Sequence, residues 1–376
     1  MKKALLASST LVGASLLAAA PVAAAEAPTL SFSGFTRVEV SFSDQDLSAA
    51  RGRGYAFEVD DNWLIWTARG EADNGLKYVA STSVESRAAG TINVIEAKIN
   101  FTNQWGTLIV GDDDSPDDVM MVGGFSLMTA GFGYDGGYTS QVQRGGVGFT
   151  GTYASLVGDT GDATKIVYYT PRWNGLQMGV SLTPDSGARG DDNVGGDGDN
   201  DGDRENTIGL GLNYNNKIGD VGVRFGTTYI AAETEPNSAA AGAASSLGRE
   251  DISSWSIGGT LSYAGFSVGV GHGDSGDSNC TKANVLCDQG DWWDVAAQYR
   301  FGNTTIATGY LNNESNVLGA AIGDEVDVWT VGVSHNFASA PGVRGWAEFV
   351  GFESDRTGTV SDNDAAYFMI GTQVAF

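Results

Sequence analysis

Two histidines, two cysteines and seven prolines are all that 376 residues contain of those types, and Lys and Arg together number 21 against 46 Asp and Glu. Each shortage closes off a class of function. Nucleophilic hydrolysis needs a base held beside a serine, threonine or cysteine. His272 and His335 fall at opposite ends of separate candidate strands, so the chain reads as a non-enzyme. Carboxylate pairs can be picked out of any chain this acidic, so they say nothing about acid–base catalysis. A net charge of −25 argues against nucleic acid or an anionic lipid surface as partner. Beyond Ala20 no stretch approaches the ~18 unbroken apolar residues of a membrane-spanning helix. Glycine, in contrast, is abundant at 54 residues, which favours strands and open loops over long helices.

The chain starts with Lys2-Lys3, an apolar run from Ala4 to Ala20, and Ala23-Ala24-Ala25 before Glu26. That is the order of a secretory signal with a small-residue cleavage site. Residues 1–25 are therefore assigned to a cleaved signal peptide and 26–376 to one domain, because no linker or change of texture divides the remainder. In an exported chain Cys280 and Cys287, close together in one loop-like stretch, are expected to form a local disulfide. Without a neighbouring histidine they make a poor metal site.

Period-two alternation supplies the fold. Phe376, Val374, Ile370, Phe368 and Ala366 share one face of the last segment, and Gln373, Gly371, Met369 and Tyr367 share the other. About sixteen such segments run from 30–43 to 365–376, most reaching the roughly 9–11 residues that a tilted strand needs to cross a bilayer. Short connections such as Glu71 to Asn74 and Arg172 to Asn174 alternate with long ones such as Asp112 to Ala163 and Pro184 to Glu205. This sorting puts the long loops at one end, as in outer-membrane barrels, and a soluble sandwich has no reason for it. The predicted fold is an all-β, sixteen-stranded antiparallel transmembrane barrel, with its apolar parity on lipid and its charged parity in a wet lumen. Trp63, Trp66, Trp105, Trp173, Tyr263, Tyr299, Trp329 and Phe376 lie near strand ends, as interfacial girdles or else as ordinary core aromatics.

A channel of this strand number is too wide for side chains to fill. The long third loop, Asp112 to Ala163, is the candidate for narrowing it from within the lumen. Its acidic head carries Asp112, Asp113, Asp114, Asp117 and Asp118. Arg37, Lys77, Arg87 and Lys98, joined by Arg69, occupy the lumen parity of the early strands. Acidic loop and basic wall together predict a transverse field at the constriction; solvated charges or ion pairs with Glu39, Glu85 or Glu96 are the plainer reading of those basic residues. Asp197, Asp199, Asp201 and Asp203 resemble the first half of a calcium loop, but Ile208 stands where the closing glutamate belongs. A Ca²⁺ site and a solvated acidic loop both fit, and no cofactor is required.

The start Leu30-Ser31-Phe32-Ser33-Gly34, the turn Asp73-Asn74-Gly75-Leu76, the run Trp105 to Asp112 entering the long loop, and the final Phe376 together resemble the general porins of Gram-negative bacteria, most closely the alphaproteobacterial type of purple bacteria. The resemblance implies a homotrimer in the outer membrane, in contact with lipid and lipopolysaccharide. It also implies an inward third loop and passive diffusion of ions and small hydrophilic solutes. Cys280 with Cys287, and the glycine-rich stretch after Asp118, depart from the family pattern. Two alternatives stay open: a substrate-specific channel, for which Trp292 and Trp346 would supply a sparse aromatic lining, and a barrel adhesin acting through its outer loops.

Overall fold

Alternating apolar and polar positions fold into sixteen strands: β1 Thr29–Gln45, β2 Tyr55–Glu71, β3 Lys77–Glu85, β4 Asn93–Asn103, β5 Gly106–Asp112, β6 Thr164–Tyr169, β7 Leu176–Asp185, β8 Arg204–Ile218, β9 Val221–Thr234, β10 Ile252–Tyr263, β11 Phe266–Asp274, β12 Asp288–Phe301, β13 Thr304–Asn316, β14 Asp324–Asn336, β15 Val343–Asp355 and β16 Asn363–Ala375. The computed structural model describes residues 27–46, 54–86, 92–128, 133, 142, 154–190, 203–235, 248–316, 323–355 and 362–376. The export signal, Arg87, Asp197, Asp199 and Asp201 lie outside the described residues.

Each strand pairs antiparallel with its neighbours in the chain, and β1 pairs with β16 to close the ring. Across that seam Phe35 pairs with Ala375, Glu39 with Gly371 and Gln45 with Ala365. Gly34 and Phe376 exchange both backbone N–H···O bonds at 3.0 Å. Closure is needed because hydrocarbon offers an open strand edge no hydrogen-bonding partner. At the short-turn end, Asn174 (φ 48°) and Gly175 (φ 94°) take the left-handed conformations of a two-residue hairpin turn, for which Asn-Gly is the favoured pair.

Period two sorts the side chains as well as the backbone. Phe32, Val38 and Phe42 of β1 are exposed on the outside, while Arg37, Glu39 and Ser41 are buried on the inside. On β11, Val268 and Val270 point out and Gly269 and Gly271 point in. A one-residue slip would carry the charged parity onto lipid, at about 2–4 kcal/mol for a basic residue near the midplane, which fixes the register. Trp66, Trp105, Trp173, Tyr263, Tyr299, Trp329 and Phe376 are exposed, and several meet as ring pairs, such as Phe266 with Tyr299 at 4.3 Å. Trp63 departs from the girdle. It shares the inward parity of Asp61 and Thr67, donates from Nε1 to Asp61 at 2.6 Å and stacks on Phe35. An indole N–H does better on a buried carboxylate than in hydrocarbon.

The interior also departs from a uniformly wet lumen. Trp292, Leu311, Val328, Val350, Tyr367 and Met369 form an apolar cluster on the inward parity of β12 to β16. Met121, Phe125 and Met128, from the connection between β5 and β6, pack against it. A wall that is covered from inside needs no polar side chains there.

Candidate functional site

After Asp112 the chain leaves β5 and forms a single helical turn, α1 (Pro116–Val119), then a 3₁₀ turn over Gly124–Leu127. Pro116 suits a first helical position, since its missing N–H is one the helix could not pair. Met120 and Val122 then run over glycines of successive strands. A Cβ at Gly179 would meet Pro116 Cβ at 2.7 Å and Met120 Sδ at 2.9 Å. At Gly226 it would meet Met120 O at 2.5 Å, and at Gly258 it would overlap Val122 O. These positions and Gly211 alternate with the outward-exposed Met178, Val180, Leu210, Phe225 and Ile257, so the segment lies on the inward parity of β7 to β10.

Carboxylates of the far wall hold the segment by its backbone. Asp294 of β12 accepts the Gly124 N–H at 3.0 Å and the Phe125 N–H at 2.5 Å. Glu348 of β15 accepts the Gly133 N–H at 2.7 Å and the Thr330 hydroxyl. The returning limb packs Leu156 and Val157 on Ile230, Ala232 and Ile252, and Ser254 Oγ donates to Val157 O at 2.6 Å.

At the root of the segment the first two carboxylates of the acidic head are compensated individually. Asp112 accepts the Thr164 hydroxyl at 2.5 Å and the Gly190 N–H at 3.3 Å. Lys98 Nζ lies 2.6 Å from Asp113 and 2.9 Å from Glu96. Lys165, the second residue of β6 and 2% exposed, donates to the backbone carbonyls of Asp113 and Gly161. Glu96, Asp114 and Asp162 bring carboxylate oxygens within 4.8 Å of one another, and Arg189 approaches Asp162 at 3.3 Å. Burial, reinforced by Asp162, Asp159, Asp113 and Glu96, pushes the Asp114 carboxyl up to about 6. Burial pushes Asp117 up to about 6 as well, with the neighbouring Ser115 hydroxyl opposing. Asp162 is raised by burial, with Arg189 opposing. Asp118 is exposed.

The structure thus brings Lys98 together with Asp112, Asp113 and Asp114, but not the other expected wall cations. Arg37 pairs with Asp60 at 2.7 Å and Asp61 at 3.4 Å, because a bulge opposite Arg37 turns both carboxylates of β2 toward it. Lys77 pairs across to Glu71 and Thr102 near the short turns, whereas Asp112 pairs with Ala97 at the other end of β4. Asp203 accepts the Glu235 N–H through its backbone oxygen at 3.2 Å. Lys165, Asp294 and Glu348 belong to the site in addition to the sequence-predicted residues. Their signal was the inward parity of strands beyond the fourth, and for the glycine track the recurrence of glycine on that parity. His272 bonds through Nδ1 to the Trp292 backbone oxygen at 2.7 Å, and His335 Nδ1 lies 2.8 Å from the Thr304 hydroxyl. Cys280 and Cys287 are joined in a disulfide with Cα atoms 5.8 Å apart.

The sequence profile described as Gram-negative porin matches residues 10–349. No curated protein matches the sequence. Among solved structures, a loop-deletion form of OmpT, an outer membrane protein of Vibrio cholerae, superposes with TM-score 0.62 at 18% identity, covering 93% of this chain and 100% of that one. The in-vitro folded trimer form of Vibrio cholerae OmpT gives 0.61 at 15% identity with the same coverage. A triple mutant of Rhodopseudomonas blastica porin gives 0.58 at 14%, again over 93% and 100%. At these identities what is shared is the fold.

Proposed function

The chain belongs to the Gram-negative porin family, an outer-membrane β-barrel channel, and from that premise we propose passive diffusion of ions and small hydrophilic solutes with a preference for cations. The inner segment sets the narrowest passage. The observation that carries this reading is the contact of α1, Met120 and Val122 with the inward glycines of β7 to β10, with Asp114 and the exposed Asp118 on the same segment. A carboxylate beside a narrow, low-dielectric wall attracts counter-ions more strongly than one in open water. Trp292 and Trp346 are 2% and 4% exposed, too buried to offer a sugar an aromatic lining, so the general pore is preferred to a specific one.

The same reading extends to a homotrimer, as in the trimer form of the Vibrio cholerae protein. It is supported by a recess of about 500 Å³ on the outward side of β1 to β5, where Ala68, Ala80 and Ala97 leave room beside Leu30, Trp66 and Ile99. Membrane lipid and lipopolysaccharide cover the remaining apolar surface. Ca²⁺ at Asp197 to Asp203 is a subsidiary proposal, checked by terbium luminescence of the purified protein.

Reversal potentials in a salt gradient, measured on single channels in planar bilayers, test the main proposal. The parent should prefer cations, and Asp114→Asn with Asp118→Asn should lower that preference. Identical reversal potentials would remove the segment from ion selection.

A further inference from the structure

Beneath the inner segment, toward the short turns, the inward parity of β8 to β12 opens into a recess of about 430 Å³ roofed by Ser126 and Leu127. Three cations line it: Lys217 near the end of β8, Arg224 near the start of β9 and Arg300 near the end of β12. Register gathers them. Arg224 pairs with Thr260 of β10, Thr260 pairs with Gly269 of β11, and the Arg300 N–H donates to Gly265 O in the β10–β11 turn at 2.8 Å.

All three are exposed, and among the described residues their side chains make no hydrogen bond or ion pair. By contrast, two cations higher on the inner wall sit on carboxylates, Arg37 on Asp60 and Lys98 on Asp113. In a chain of net charge −25 with 46 acidic residues, Asp220 is the one carboxylate lining this recess among the described residues. Around the cations stand neutral hydrogen-bonding groups: Thr260, the Ser262–Ser267 hydroxyl pair at 2.8 Å, and the Gln298 amide.

Like charges gathered without partners repel, and an anion between them relieves that repulsion. Two guanidinium forks and an ammonium suit the several acceptor oxygens of a phosphate, and hydroxyls and an amide suit the hydroxyls of the group that carries it. We infer that this recess binds small phosphorylated polyols in the vestibule on the short-turn side of the constriction, an inference that rests on the channel reading above. Acidic constriction and basic recess then act in series on a permeating solute.

The test uses the full-length protein in planar bilayers at low salt. Glycerol 2-phosphate should reduce ion current along a saturating curve, whereas glycerol, and chloride at equal ionic strength, should give no saturation. In the variant Arg224→Gln with Arg300→Gln, the half-saturating concentration should rise about tenfold or more, as expected for the loss of charge-assisted hydrogen bonds. Lysines at both positions should restore part of the effect. Should the glutamine variant fail to fold, calorimetry of glycerol 2-phosphate binding to the parent decides. Raising salt from about 50 to about 500 mM should then weaken binding at least tenfold, because the Debye length shrinks to a few Å, and salt-insensitive or absent binding overturns the site. Ion conduction without saturable block by glycerol 2-phosphate, or an unchanged half-saturation in the glutamine variant, also overturns the site and leaves the channel standing. A protein that carries no ion current overturns the channel and the site together.

Discussion

Lys98 on the wall and Asp113 at the root of the inner segment share an ion pair with Nζ 2.6 Å from Oδ1, so the barrel and the segment are joined electrostatically where the segment begins. Both side chains are largely buried, at 17% and 9% exposure, and Glu96 lies on the same ammonium. Removing the cation leaves two carboxylates facing each other with little water, and breaking a buried pair from one side costs about 3–5 kcal/mol. Lys98→Met should therefore raise cation preference and lower the temperature of heat modification. Lys98→Met with Asp113→Asn should recover much of the stability. A double variant no more stable than the single would show the pair to be uncoupled.

Ion preference should fall on mild acidification. Asp114 and Asp117, both outside the strands, are pushed up to about 6, so each is charged at pH 7 and largely neutral at pH 5. Ordinary aspartates keep their charge down to about pH 4. For stability the sign is the same for both groups. A carboxyl raised in the folded state favours the fold at low pH, and that contribution is lost as pH rises through about 6. The expected outcome is a drop in cation-to-anion permeability between pH 7 and 5 that Asp114→Asn with Asp117→Asn flattens; a parent with a constant ratio across that window contradicts it.

Asp294 is the clasp for the 3₁₀ turn, accepting from Gly124 and Phe125 with its two oxygens. Hydrogen bonds to a charged group contribute about 1.5–3 kcal/mol each, so Asp294→Ala should free this part of the segment while the strands stay paired. Single-channel records should show a broadened distribution of open levels, with heat-modifiable migration retained. A single sharp level equal to the parent's would mean that Glu348 and the packing of Phe125 on Trp292 suffice.

Reduction of Cys280–Cys287 should act locally. The disulfide lies between β11 and β12, and its loop is tied to the start of β10 by backbone bonds from Glu250 to Cys280 and from Asn279 to Glu250. Closing so short a loop contributes about 2–3 kcal/mol at most by chain entropy. Dithiothreitol should speed proteolysis within 275–288 without dissociating the barrel, and loss of barrel migration on reduction would contradict this.

Strands, parity and barrel closure were legible in the sequence because lipid on one side and water on the other impose a strict period of two on every strand that spans the bilayer. Phe376, Val374, Ile370 and Phe368 reveal the outer face with no knowledge of their neighbours. Individual partners across the lumen were not legible. Arg37 finds Asp60 through a bulge, and an inserted residue of that kind leaves no mark on the alternation of β1. Trp63 crosses to the inner face for the same reason. Lys165 and Lys98 look alike in sequence; only the fold of the intervening segment gives one two backbone carbonyls and the other two carboxylates.

The bare glycines beneath Met120 and Val122 carry a mechanical consequence. At those glycines the wall puts no side chain into the lumen, so the inner segment fills that space and works as a spoke, with Asp294 and Glu348 pinning its far end to the rim. Cutting it out would yield a softer and more oval tube, in which bore and stiffness change together.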